Sequence, residues 1–418
     1  MIQAIAPVSN DTLIREVEAH LAKIDGAALR RGRLARLQAK LRARDLAGCV
    51  LFDPVNIRYA AGLRNYQVMQ MHIPFRYAFV PAEGKAVGFE LGAEGADSPY
   101  PETVAEIRPS RIPNFFLAGG RLAEHARRWA ADIAELAKDS AGANRRIAVD
   151  RVGPAHFEAL QAAGLTALEA QEPIELARAI KLPEELATMA VDIFVAEAGI
   201  ARMKDALRPG LTENAFWSIL HETNTAAGGE WIECRLVASG QRTNPWGAEC
   251  SAKAIEAGEL VGFDTDMVGP GGYCADISRT LLCGDGTPTG RQKDLYRMAV
   301  EQLEHNMALV RPGITFRDYA ERCWALPEPY LANRYPEVAH GIGLCDEYPG
   351  IPAIQDWDER GYRGGYEGVI EEDMTLCVES YIGAEGGPEG VKLEQQVLVT
   401  ATGCRLLSTF PLEDIFLG

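Results

Sequence analysis

The chain has no Cys-x-x-Cys pair, no excess of basic charge and no long hydrophobic run, and each lack excludes something. Against 59 acidic residues stand 42 lysines and arginines, a formal net charge of −17. The sequence pI is near 5.0. Such a balance speaks against nucleic acid or an anionic membrane as partner. No uncharged apolar stretch approaches the ~18 residues of a membrane span. The opening segment has neither the basic n-region nor the apolar core of a secretory signal. The nine cysteines are odd in number and scattered, which predicts reduced thiols in a cytoplasmic protein rather than a disulfide framework.

What is present is an ordinary soluble balance, 47% hydrophobic and 24% charged, in 418 residues, enough for two domains. Apolar residues recur at helical spacing over 11–25 and 33–46, and again over 121–138 through Leu122, Trp129, Ile133 and Leu136. Strands are predicted at Gly48–Phe52, Tyr77–Pro81, Ala86–Glu90 and Arg146–Asp150. This alternation predicts an α/β N-terminal domain over 1–175. The second domain, 176–418, begins in a charged, Pro-bearing segment. There Pro183 suits the first turn of a helix over 183–206.

The second half repeats itself. Leu207-Arg208-Pro209-Gly210-Leu211-Thr212 returns as Val310-Arg311-Pro312-Gly313-Ile314-Thr315, 103 residues later. In each copy a helix ends, Pro-Gly breaks it, and the threonine can N-cap the next helix. A strand hairpin follows each copy. In the first, Val261 to Thr280, Asp264 and Asp266 are two apart on a predicted strand and leave one face. Asp276 lies just past the Gly269-Pro270-Gly271-Gly272 turn. In the second, Glu379 ends an apolar strand and Glu394 opens the return strand. Clustered carboxylates raise one another's pKa values unless a cation sits among them, and hard oxygen donors suit a divalent metal. A surface hairpin with acidic decoration is the plain alternative. Of seven histidines, only His340, in His340-Gly-Ile-Gly, has an informative context. Its imidazole would complete a carboxylate-rich site.

With these motifs the chain resembles the creatinase, prolidase and methionine aminopeptidase superfamily, whose catalytic domain is the α+β pita-bread fold with internal pseudo-twofold duplication. The resemblance rests on Asn56-Ile57-Arg58-Tyr59, the Arg178–Pro183 junction, Gly-Tyr-x-x-Asp-Ile-Ser-Arg at 272–279, His340-Gly-Ile-Gly, Glu379 and Glu394. It implies two bridged divalent metals on Asp266 or Asp264, Asp276, His340, Glu379 and Glu394. Iron is the first expectation, with manganese, zinc and cobalt as alternatives. Peptidases of the family separate their two aspartates by eleven positions, whereas here the intervals to Asp276 are twelve and ten. They also carry two further histidines, where this chain has Asp346-Glu347 and Trp246.

Those departures resemble the dimethylsulfoniopropionate lyases of the DddP type. The matching stretches are Gly228–Glu233, Arg242–Trp246, Phe263–Asp266 and His340 to Glu347. That resemblance implies Asp264 and Asp266 both as ligands, Asp346 as general base and Tyr335 in the pocket. The reaction implied is β-elimination of dimethyl sulfide from a zwitterionic small molecule, leaving acrylate. A sulfonium favours aromatic faces, for which Trp231, Trp246 and Tyr335 are the candidates, with Tyr66 or Tyr77 from the first domain. A Xaa-Pro peptidase or a creatinase-like C–N hydrolase is the alternative. A homodimer is expected from the resemblance alone.

Overall fold

The computed structural model describes residues 6–64, 66–91, 100–111, 114–358 and 364–418. Asp25–Arg178 forms one unit, and Ala179–Gly418 forms the other together with the chain up to Ile24. The boundary expected between 175 and 176 lies inside the helix Gln171–Arg178. The first helix, Asn10–Leu21, was expected in the N-terminal domain but packs on Pro183–Ala206. There Arg202 Nη2 donates to the Val8 carbonyl at 2.6 Å.

The smaller unit is a mixed six-stranded sheet. Its strand order is Val104–Pro109, Ala86–Glu90, Tyr77–Pro81, Gly48–Leu51, Arg146–Val149, Thr166–Glu169. The four central strands are the predicted ones. The two edge strands are largely exposed and carry charge (Glu106, Arg108, Glu169), so they lack the apolar signature of a buried strand. The helix Leu122–Ala141 lays Trp129 and Ile133 onto Phe52, Phe79 and Phe89. Tyr77 belongs to this core, its ring 4.2 Å from Phe89. It is therefore a packing residue and not an aromatic face open to substrate. Tyr66 is exposed and lies under the Arg76 guanidinium at 4.8 Å.

In the larger unit the duplication is visible bond by bond. Thr212 caps Glu213–Ala226 by accepting from the Ala215 amide, and Thr315 caps Phe316–Arg322 by accepting from the Asp318 amide. Gly210 and Gly313 both adopt positive φ, 88° and 85°, which glycine tolerates without strain. Each then donates its N–H to the segment that leads into the following hairpin, Gly210 to the Ile255 carbonyl at 2.8 Å and Gly313 to the Ile370 carbonyl at 2.9 Å. Ile255 and Ile370 answer with N–H bonds to Leu211 and Ile314, both 2.9 Å. This fixes where each hairpin begins relative to its helices. The helix Pro183–Ala206, with Pro183 in its first turn as predicted, is buried along most of its length. Two three-stranded sheets and one five-stranded sheet complete the pita-bread architecture.

Candidate metal centre

The first hairpin is not one ladder. Leu260–Phe263 pairs with Arg279–Leu282, and Met267–Val268 pairs with Cys274–Ala275. Asp264 to Asp266 and Asp276 to Ser278 fall in the break between them. The predicted strand carrying Asp264 and Asp266 on one face is thus corrected. Asp266 takes φ +38°, a left-handed conformation that aspartate tolerates better than most residues. Thr265 staples the break, its Oγ1 donating to the Ala275 carbonyl at 2.7 Å and accepting from the Ile277 amide at 3.0 Å. Asp264, Asp266 and Asp276 are buried, and one carboxylate oxygen from each lies within 4.8 Å of the others.

The second hairpin is continuous. Thr375–Ile382 pairs with Val391–Thr400 so that Glu379 stands directly opposite Glu394. Glu379 lies inside its strand rather than at its end. His340 lies on the neighbouring strand Glu337–Ile342. Its Nε2 is 3.6 Å from Asp276 Oδ2, 3.5 Å from Glu379 Oε1 and 3.6 Å from Glu394 Oε1. Asp276, His340 and Glu394 form a second group, with the Cys377 thiol, again within 4.8 Å. The two groups share Asp276, a geometry that suits two bridged cations.

The chemistry of the donors agrees. Asp264 Oδ1, Asp266 Oδ2, Asp276 Oδ1 and Glu394 Oε1 are buried and accept no hydrogen bond among the described residues. Such oxygens are costly unless a cation meets them. Burial, reinforced by neighbouring carboxylates, pushes the Asp266 and Asp276 carboxyls well above their usual range. Burial and Glu394 push Glu379 up to about 7. A bound metal would replace the protons that this crowding otherwise recruits. All six residues expected as ligands are brought together. Ser278, Cys377 and Lys392 were missed. Cys377 and Lys392 each stand two positions before an expected ligand in the same strand, the spacing that puts strand side chains on one face, whereas Ser278 lies in the break of the first hairpin.

Asp346 and Glu347 were read as a pair in place of a histidine, and the structure separates them. The Asp346 side chain is 63% exposed, with Oδ1 3.8 Å from His340 Nδ1. Glu347 turns inward to a buried ion pair with Lys181. The two glycines after His340 make room for this return strand. A Cβ on Gly343 would meet Glu347 Oε1 at 2.3 Å, and one on Gly341 the Tyr348 carbonyl oxygen at 2.3 Å. Gly341→Ala must therefore move backbone, not only a side chain. We expect it to lower stability by about 1–3 kcal/mol and to slow turnover with metal still bound, read by urea denaturation and metal analysis. Lys181→Met removes the ammonium from this buried ion pair. Its expected cost is about 3–5 kcal/mol, with Lys181→Arg costing less in the same titration.

The candidate aromatics divide. Trp246 and Tyr335 stand at the centre, their rings 5.8 Å and 4.8 Å from Lys392 Nζ. Trp231 is 41% exposed on the two-residue strand Trp231–Ile232, paired with Val268 just beyond Asp266.

A duplicated helix–hairpin domain that gathers five carboxylates and an imidazole defines a class of divalent-metal enzymes. Residues 192–401 match metallopeptidase family M24, and residues 33–180 match the creatinase/prolidase N-terminal domain. The chain belongs to this family. It is 36% identical over 405 residues to the dimethylsulfoniopropionate lyase DddP of Roseovarius nubinhibens, covering 96% of this chain and 90% of that one. It is likewise 36% identical over 415 residues to the DddP of Roseobacter denitrificans, covering 97% and 92%. A solved Xaa-Pro dipeptidase from Bacillus anthracis superposes with TM-score 0.70 at 22% identity, covering 91% of this chain and 98% of that one. That likeness bears on the fold.

Proposed function

We propose that the protein is a metal-dependent carbon–sulfur lyase that cleaves dimethylsulfoniopropionate to dimethyl sulfide and acrylate. The observation that carries the reading is Asp346, an exposed carboxylate 3.8 Å from the imidazole of His340, in a chain similar over nearly its whole length to two such lyases. Asp264, Asp266, Asp276, His340, Glu379 and Glu394 would hold two divalent ions, iron first among the metals this donor set suits. When bound, they supply Lewis acidity toward the substrate carboxylate and the negative charge that grows beside it. Asp346 is the general base. It takes the proton from the carbon next to the carboxylate. That electron pair becomes the carbon–carbon double bond as the carbon–sulfur bond breaks, and the sulfur leaves as neutral dimethyl sulfide. Tyr335 and Trp246 wall the pocket, and Trp231 offers an exposed aromatic face to the sulfonium.

The hydrolase alternative needs an attacking water and a proton donor for a leaving amine. The two positions where peptidases place their extra histidines are Asp346-Glu347 and Trp246, and Glu347 is committed to Lys181. Proton NMR of an incubation separates the chemistries. Vinyl signals of acrylate are expected, and 3-hydroxypropionate, the product of substitution by water, would overturn the elimination. A homodimer and a cytoplasmic location complete the proposal. The location is supported by nine free cysteines, and no described helix is long and apolar enough to cross a membrane. Sedimentation velocity tests the dimer.

A further inference from the structure

Lys392 is the charged group at the centre that the ligand set and the proposed base leave unused. Its side chain is fully buried. Its Nζ lies 2.6 Å from Glu379 Oε2, 3.1 Å from Asp264 Oδ2 and 3.5 Å from Glu394 Oε2, and donates to Ser278 Oγ at 2.7 Å. Tyr335 and Trp246 turn ring faces toward the same ammonium. The two glutamates are thereby split. Oε1 of each faces His340 and Oε2 of each faces Lys392. Asp264 follows the pattern, with Oδ2 toward Lys392 and Oδ1 accepting no hydrogen bond among the described residues.

We propose that Lys392 is a positioning residue for the metal centre. It grips the outer oxygens of Asp264, Glu379 and Glu394, so that their other oxygens point to the metals. It also offsets one of the five carboxylate charges permanently. The aromatic walls favour a cation there and keep water from the grip. The inference rests on the two-metal reading and concerns how the ligands are held, whatever the substrate.

The test uses purified full-length protein stripped of metal and titrated with Co²⁺, with bound metal counted by mass spectrometry and the visible cobalt spectrum recorded. Two ions on the parent protein check the two-metal reading separately. Lys392→Met and Lys392→Gln, shown folded by gel filtration and circular dichroism, are expected to bind at least one ion tenfold or more weakly, with an altered spectrum. Lys392→Arg is expected to bind both ions. Parent-like affinity and spectrum in a folded neutral variant would overturn the proposal. Should neither neutral variant fold, Lys392→Arg decides. Its planar fork grips the same carboxylates differently, so the cobalt bands shift with both ions bound, and a spectrum identical to the parent's overturns the positioning role.

Discussion

The Asp346→Asn protein is expected to keep its full complement of metal and to release dimethyl sulfide about 10²–10⁴-fold more slowly than the parent, the range typical of a lost general base. The substitution isolates the proton transfer because of where Asp346 stands. Its side chain is mostly in water, so no packed neighbour is left behind, and Asn preserves its shape. His340 loses a nearby negative charge but keeps its strand register opposite Cys377 and its contacts with Asp276, Glu379 and Glu394. Glu347 beside it remains anchored by Lys181, which holds the strand in place. A slow variant with two ions bound assigns the loss to chemistry. A variant as fast as the parent would remove Asp346 from the mechanism.

The second large effect is expected at Glu394. Glu394→Gln keeps the side-chain volume and removes the charge at a position that is 0% exposed. Burial alone would raise this carboxyl, but Lys392 and His340 outweigh it and hold Glu394 well below the usual carboxylate range. That direction favours the anionic form that a metal ligand needs. Partners outside the ligand shell commonly cost 10–100-fold in metal affinity when lost, so losing a direct ligand is expected to cost more than about 100-fold. Metal analysis after dialysis should find one ion or fewer per chain, with dimethyl sulfide at the background of the metal-free parent. Two tightly bound ions in this variant would remove Glu394 from the ligand set.

How far the sequence reaches is clearest in the two hairpins. The second was legible because its strands are continuous and apolar, with a glycine-rich turn between them, so Glu379 and Glu394 fall on the two arms of one hairpin, and the structure adds that they stand directly opposite each other. The first was legible in its acids but not in its path. Period-two reasoning assumes an unbroken strand, and the left-handed Asp266 with the Thr265 staple breaks it. The carboxylates converge because the ladder is interrupted. Asp192 shows the same limit. Its two oxygens accept the amides of Gly271 at 2.7 Å and Tyr273 at 2.8 Å, fixing the hairpin turn from a helix far away in the chain. Lys392 and the Lys181–Glu347 pair escaped for a similar reason. A lysine in a return strand looks like a solvent-facing residue until the opposing hairpin's carboxylates are seen around it. Lys181 and Glu347 are separated by 166 residues, and nothing local to either marks the other.

The most direct measurement is headspace gas chromatography over purified protein loaded with iron and supplied with dimethylsulfoniopropionate, beside the same protein stripped by chelator. Dimethyl sulfide from the loaded protein, with little from the stripped one, is the predicted result. A protein carrying two ions per chain that yields no dimethyl sulfide would contradict the lyase, and release of proline from a Xaa-Pro dipeptide by that same preparation would establish a hydrolase on this metal centre instead.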